Sequence, residues 1–430
     1  MKVKFKQKIN LILFVITGFI YGPAFGQTTL IDALNKNIIE VQTTSPDSCF
    51  SDLNTLNTIL TGNKIIGLGE ATHGTHEFFT YKHRLIKYLV TEQNYRIFII
   101  EGSFGGSHAM YDYVVHGKGT INEALYGVSY GVWFTKEFVA LVEWMKEYNS
   151  DKALVDKIKF YGCDLNYSVN AAKKVEAYLT KEDRLSTTLK KGFDWVINEN
   201  FRRKITKEDE RQKNQFLAEL NGIFKNLEDK NDRELLFIKH CIREIEQSLE
   251  LDFANDKTSI TLRDKYMSEN IDWIYRFEND QKAIFWAHNE HIKNDKAKSD
   301  QKPVGFYLKE KFKDQYYAFG FGFYKGRVTG YNRAEKKYDS FEVPQMDSNK
   351  LTDAVFSQCV YPDFILDIKT ANENTTVSKF LNTTLQQRTI GAGFYPDGEK
   401  RYHYRMAKLI DKYDGLIFFR TTHPATRLSK

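Results

Sequence analysis

Short, almost wholly apolar runs recur along the chain, and each is closed by a polar or charged residue. "KIIGLG" leads to Glu70 and His73, "YRIFII" to Glu101, "KIKFYG" to Asp164, and "KAIFWA" to His288 and His291. Runs of this length without polar alternation suit strands buried on both faces of a parallel sheet. Between the first two, Phe78, Phe79, Lys82, Leu85, Ile86, Leu89 and Val90 repeat at helical spacing. Strand, helix, strand predicts an α/β fold: a mostly parallel central sheet flanked by helices. "YYAFGFGF", "DFILDI" and "GLIFF" are later candidate strands.

From about residue 169 to 278 the pattern changes. This stretch is charged and strand-poor, and its apolar positions follow helical periodicity. No proline falls between residues 47 and 302, which suits long helices. The segment is read as a long helical insertion forming an arm over an active-site cleft; the competing reading is helices that only thicken the scaffold. The chain then divides into 1–26, a leader; 27–168, the first part of the α/β core; 169–278, the arm; and 279–430, the second part of the core.

The leader is read from Lys2, Lys4, Lys6 and Lys8, the apolar "LILFVITGFI", and the small residues Ala24 and Gly26. This is the pattern of a signal peptide, here cut after Gly26, and it sends the mature chain to the periplasm or the medium. The apolar stretch is shorter than the roughly 20 residues of a spanning helix, so no integral membrane segment is expected after cleavage. The leader carries four lysines and no acid, so removing it lowers the net charge from +6 to +2. That balance argues against a nucleic-acid partner. Cys49, Cys163, Cys241 and Cys359 lie far apart with no C-x-x-C spacing, which removes zinc ribbons and dithiol redox motifs; export permits disulfides without saying which would pair.

Ligands of parallel sheets bind beyond the carboxyl ends of the strands, and here four runs end in Glu70, His73, Glu101, Asp164, His288 and His291. In "GLGEATHG", glycines permit a sharp corner and close approach of a substrate, while an imidazole can take a proton from water if a carboxylate fixes its tautomer. The bland reading is that Glu70 and His73 cap the following helix, near Gly74. In "WAHNEHI", His288 and His291 stand three apart after a strand, positioned to polarise a carbonyl or move protons, with Glu290 turned to solvent. Glu101 closes an apolar run and needs a cation, an imidazole or donors; it either orients His73 or a nearby histidine, or pairs with Arg84 or Lys82. His76, one turn into the helix, can still face the pocket, whereas His83 reads as a solvated position.

Two rivals share these residues. "GVSYG" matches the G-x-S-x-G elbow, and Ser129, Asp164 and His288 follow in hydrolase order, but the preceding "TINEALY" is a poor strand. Glu70, His73, Glu101, His288 and His291 also hold enough N and O donors for a catalytic zinc, although no dense ligand run such as H-E-x-x-H occurs.

"GLGEATHGTHEFFTYKHRLIKYLV", "FIIEGSF", "WFTKEFVALVEWMKEYN", "FYGCDL", "RDKYMSENIDWI", "IFWAHNEHI" and "VGFYLKEKFKDQYYAFGFGFYKG" together resemble the erythromycin esterase family, which includes macrolide esterases and succinoglycan-biosynthesis-like proteins. The resemblance implies an exported hydrolase opening a carboxylic ester, a macrolide lactone first, by adding water without a serine nucleophile, cofactor or metal. It makes His73 the general base, with Glu70, Glu101, His288 and His291 as the surrounding catalytic set. Lys82, Arg84, His76, Asp164 and Trp133 are the expected substrate contacts, Lys82 and Arg84 competing for a cationic position nine residues beyond the base. Glu290 stands where glycine is common in the family. The alternatives are a non-catalytic exported binding protein of envelope polysaccharide, and a serine- or metal-dependent esterase.

Overall fold

The four runs that end in polar residues lie side by side in one sheet. The structure, a computed structural model, describes residues 24–128, 131–165, 168–198, 205–225, 232–294, 301–394 and 403–428. Its strands are β1 (Ile38–Glu40), β2 (Ile65–Leu68), β3 (Ile97–Ser103), β4 (Lys159–Asp164), β5 (Ala283–Trp286), β6 (Tyr316–Asn332), β7 (Lys337–Val343), β8 (Asp363–Asp367), β9 (Leu385–Arg388), β10 (Gly393–Phe394), β11 (Tyr404–Ala407) and β12 (Gly415–Thr422). Among the described residues ten of them form one sheet along the order β4-β3-β5-β2-β6-β12-β8-β1. All pairings from β4 through β12 are parallel; β8 and β1 add antiparallel pairings at one edge, and β7 and β10 pair the far end of β6. β9 and β11 form a separate antiparallel pair.

The strands read as continuous apolar runs because both faces are covered. In β3, Ile97 and Ile99 enter one core and Phe98 and Ile100 the other, the period-two alternation of a strand with no wet face. On one side lie α2 (His76–Thr91) and α3 (Lys136–Asn149), preceded in the chain by α1 (Ala24–Asn35). Phe79 of α2 packs on Trp286 and Trp133 there, with ring centroids 5.0 and 6.4 Å apart. The other side is covered by α4 (Val169–Lys181), α5 (Thr187–Asn198), α6 (Lys207–Lys225), α7 (Arg233–Phe253) and α8 (Asp256–Phe277). Val175, Ile245 and Ile271 from these helices share a core with Ile99 and Cys163 of the sheet. Fully burying an aliphatic or aromatic side chain of this size is worth about 1.5–3 kcal/mol, which ties these helices into the core that they share with the sheet. Near its start, α8 also reaches the carboxyl ends of the strands.

The expected leader lies outside the described residues up to residue 23, and α1 begins at Ala24, so that its first three residues precede the expected cut. Among the described residues no helix is long and apolar enough to cross a membrane. The four cysteines are unpaired, Cys49 exposed and the other three buried.

Candidate active site

The site forms where β5 inserts between β2 and β3, bringing the chain after each strand together. Beyond β2 the amide of Gly69 donates to the carbonyl of Phe319, and beyond β5 the amide of Asn289 donates to the carbonyl of Glu70. Two close approaches in this corner require glycine: a Cβ on Gly69 would lie 2.1 Å from Asn289 Oδ1, and one on Gly74 1.8 Å from the carbonyl oxygen of Thr329. The following helix starts at His76 with Thr75 as its N-cap, so Glu70 and His73 belong to the corner and do not cap it.

Glu70 is completely buried and accepts three hydrogen bonds. His73 Nδ1 lies at 2.6 Å, Lys82 Nζ at 2.8 Å and Trp286 Nε1 at 2.7 Å. Burial by itself would raise the pKa of this carboxyl, but Lys82 and His73 outweigh it and hold the group below its ordinary value, so it is an anion. Lys82 is equally sealed, its ammonium 4.1 Å from the centre of the Trp286 ring, and burial lowers it to about 8 against the pull of Glu70. The lysine expected at the substrate therefore serves Glu70 from behind, with no face toward a ligand.

The ring of His288 stands 5.1 Å from that of His73, centroid to centroid. His288 caps the short helix Asn289–Ile292, its Nδ1 accepting from the amide of Glu290 at 3.3 Å. That acceptor role leaves the proton on Nε2, a buried atom with no hydrogen-bond partner. Burial, and then the neighbouring His73, push the imidazole down to about 3, so it is a neutral donor at physiological pH.

A second group adjoins the first. Arg263 of α8 donates to Asp164 through Nε at 3.2 Å and Nη2 at 2.6 Å, and through Nη2 to Glu101 Oε1 at 3.0 Å. Glu101 Oε2 accepts the amide of His288 at 3.0 Å. His291 sits between carboxylates, Nδ1 2.5 Å from Asp264 Oδ1 and Nε2 3.3 Å from Glu101 Oε1. Nε2 is also 3.3 Å from Arg263 Nη1, where it would have to accept. Three carboxylates facing a single guanidinium decide between these: burial opposes a charge, but Asp264 and Glu101 push His291 up to about 10, and it is an imidazolium. Glu101 is held well below its ordinary value because His291 and Arg263 outweigh its burial.

The structure thus gathers Glu70, His73, Glu101, Asp164, His288 and His291 at adjoining strand ends. Glu70, not Glu101, orients His73; Glu101 meets the other expected kind of partner, a nearby histidine, in His291, and its guanidinium is that of Arg263, with neither Arg84 nor Lys82 at its side. Arg84 points away from the cluster, its guanidinium bonded to Asp52 at 2.9 Å and to the backbone oxygens of Thr43 and Cys49. His76 is paired with Glu137 at 2.7 Å on the outer surface of α2, away from the cluster. Trp133 is buried in the core and donates through Nε1 to the carbonyl of Glu101 at 3.1 Å, so it braces that strand end without offering a surface to a ligand. Glu290 is not turned to solvent: Lys293 and Lys412 each donate to it at 2.8 Å and hold its carboxyl far below the ordinary range. His83 is buried where solvent was expected.

Arg263 and Asp264 escaped the sequence reading. They open "RDKYMSENIDWI" inside a long charged segment where helical periodicity marks no residue as special; only the family resemblance of that block singled it out. Ser129 lies outside the described residues, but what precedes it is a helix, Ile121–Gly127, and not the strand a nucleophile elbow requires. Among the described residues no group of three or more His, Cys, Asp or Glu is arranged to hold a metal ion.

Residues 90–422 match the profile of the erythromycin esterase family. A putative hydrolase, YbfO, of Bacillus subtilis is 26% identical over 311 residues, covering 64% of this chain and 68% of the relative. Erythromycin esterase type II of Escherichia coli is 22% identical over 358 residues, covering 74% of this chain and 84% of the relative. Among solved structures, a succinoglycan biosynthesis protein superposes with a TM-score of 0.82 at 25% identity, covering 94% of this chain and all of that one. A mutant of the erythromycin esterase EreC in its open conformation superposes with a TM-score of 0.62 at 15% identity, covering 92% and 99% of the two chains, a likeness of fold. The α/β architecture and the long match agree: the chain belongs to the erythromycin esterase family.

Proposed function

We propose that the protein is an exported hydrolase that opens a carboxylic ester by general-base activation of water, with a macrolide lactone as substrate. Hydrolase activity is supported by the family and by its hydrolase relatives; the ester, the mechanism and export are this proposal. The observation that carries it is the pairing of an oriented imidazole with a neutral donor that has no protein partner, His73 held by Glu70 and His288 beside it.

In this reading Glu70 fixes the proton of His73 on Nδ1, and Nε2, the nitrogen turned from Glu70, takes a proton from water as the oxygen attacks the ester carbonyl. The Nε2–H of His288 donates to the carbonyl oxygen, whose negative charge grows as the tetrahedral intermediate forms. A neutral imidazole suits that role because it gives no proton away before the reaction and pays little to reorganise. The protonated His73 then returns its proton to the departing alkoxide, which leaves as the alcohol of the opened ring. His291, clamped as a cation, holds Glu101 and so the His288 amide in place, and takes no part in proton transfer.

Incubating the purified protein with erythromycin tests the proposal: the product gains one water in mass, and His73→Ala gives none. Absence of turnover by the wild-type protein across macrolides and simple esters would sink it. The exported state is checked by the mature N-terminus, expected at Gln27.

A further inference from the structure

A groove of about 590 Å³ runs between α2 and α3, away from the strand ends. The two helices lie side by side in the same direction: His76 meets Glu137 near both starts, and further along His83 meets Trp144, their rings 5.8 Å apart. Groove-facing positions recur along each helix at near-helical intervals, and Ala140 leaves the middle open.

Two features mark the groove as built for a ligand. His83 lines it yet is only 6% exposed, and its Nε2 has no hydrogen-bond partner. A buried ring nitrogen in that state is costly unless something completes it. Beside it the indole of Trp144 is half-buried, with the rings of His83 and Tyr148 5.8 and 5.7 Å away and the Lys87 ammonium 5.9 Å over its centre, an aromatic surface capped only by a mobile side chain. The walls carry carboxylates and ammonium groups together, including Glu143, whose Oε1 already accepts from the Tyr113 hydroxyl at 2.6 Å.

This composition selects a class of ligand. Mixed charge steers neither a polyanion nor a polycation, and with few aliphatic side chains in the walls an alkyl chain would gain little. A pyranose has what the groove lacks: an apolar C–H face to lie on the indole, and hydroxyls that both donate to carboxylates and complete an imidazole nitrogen or an ammonium. We propose that the α2–α3 groove is a saccharide-binding site, separate from the catalytic cleft, with Trp144 as its platform and His83, Lys87 and Glu143 as its hydrogen-bonding partners. The site does not depend on which ester the cleft takes.

Affinity electrophoresis of the full chain in gels containing laminarin, dextran or arabinogalactan tests this. The wild-type protein is retarded in at least one gel, Trp144→Ala weakens apparent binding by about tenfold, the loss of one stacking contact, and Trp144→Phe keeps most of it. Ala140→Gln, at an exposed helical position, fills the groove and weakens binding without disturbing the core, which guards against a misfolded Trp144 variant. His73→Ala is retarded like wild type, and all groove variants keep ester hydrolysis. No retardation in any gel, retardation unaffected by both Trp144→Ala and Ala140→Gln, or retardation lost in His73→Ala would overturn the assignment.

Discussion

Arg263 Nη2 and Glu101 Oε1 are 162 residues apart along the chain and 3.0 Å apart in space. Through that contact a helix from the segment between β4 and β5 completes a site otherwise made by strand ends. The fork of Arg263 spans Glu101 and Asp164 at once, which the single ammonium of lysine cannot reproduce.

Arg263→Met therefore leaves Asp164, wholly buried, and Glu101 without their guanidinium. Breaking a buried pair costs about 3–5 kcal/mol, and the partial exposure of Arg263 reduces this to about 2–3 kcal/mol. Arg263→Lys recovers less than half of the loss. Urea melts of the three proteins measure it; full recovery by lysine would show that charge alone, and not the fork, matters.

Glu70 and Lys82 form a pair with both side chains fully buried. Lys82→Met strands a buried carboxylate and Glu70→Gln strands a buried ammonium, each costing about 3–5 kcal/mol. The double variant removes both charges and is expected to lose less than either single variant. A double-mutant cycle by denaturant melts reads the coupling directly, and additive losses would mean that the pair is not coupled.

Gly74 is fixed by the carbonyl oxygen of Thr329, which a Cβ would approach to 1.8 Å. Because that atom is backbone in β6 and accepts no rearrangement by rotation, Gly74→Ala shifts the corner bearing His73. The expected result is a drop in stability of about 2–3 kcal/mol with loss of hydrolysis even in the folded fraction. A variant with wild-type melting and turnover would show that the corner yields freely.

Much of this arrangement is legible in the chain. Strands β2, β3, β4 and β5 announce themselves as apolar runs because parallel strands bury both faces, and their polar terminators lie at the carboxyl ends by construction. What local pattern does not carry is which distant partners meet. Arg263 and Asp264 are two charges among many in α8, and only the tertiary fold distinguishes them from solvated neighbours. His83 misleads for a related reason: a hydrophilic residue on a helix reads as surface, yet it is buried against the neighbouring α3, while Lys82, which falls on the apolar stripe of α2 and was expected at the substrate, is buried by its pairing with Glu70. Trp133 and Arg84 sit close in sequence to functional blocks, but their side chains point into the core and toward Asp52.

His291 gives the molecule a pH signature of definite sign. Its pKa rises from an ordinary 6.5 to about 10 in the folded protein, so the stabilisation is complete below pH 6.5 and is lost as pH climbs through 10. Between those values the unfolded chain has already given up its proton while the folded one keeps it, a contribution on the order of a few kcal/mol. Melting temperature should therefore decline between pH 7 and 10 in the wild-type protein. Asp264→Asn removes the carboxylate 2.5 Å from Nδ1 and flattens that decline. An unchanged slope in this variant would mean that some other group titrates in the window.

His288 offers the sharpest separation of binding from chemistry. In the proposed mechanism its Nε2–H contributes in proportion to charge on the substrate oxygen, which is small in the bound ester and large in the tetrahedral intermediate. Removing such a donor costs about 100- to 1,000-fold in kcat with KM little changed. His288→Gln, which keeps a side-chain N–H and an acceptor for the Glu290 amide, should retain more activity than His288→Leu, which has neither. Because burial and His73 push the imidazole down to about 3, its protonation adds no limb to a rate profile between pH 5 and 9, and any limb there belongs to another group. Equal losses in kcat for glutamine and leucine would implicate ring shape over donation. A loss confined to KM would make His288 a binding contact and pass the oxyanion to other groups at the strand ends.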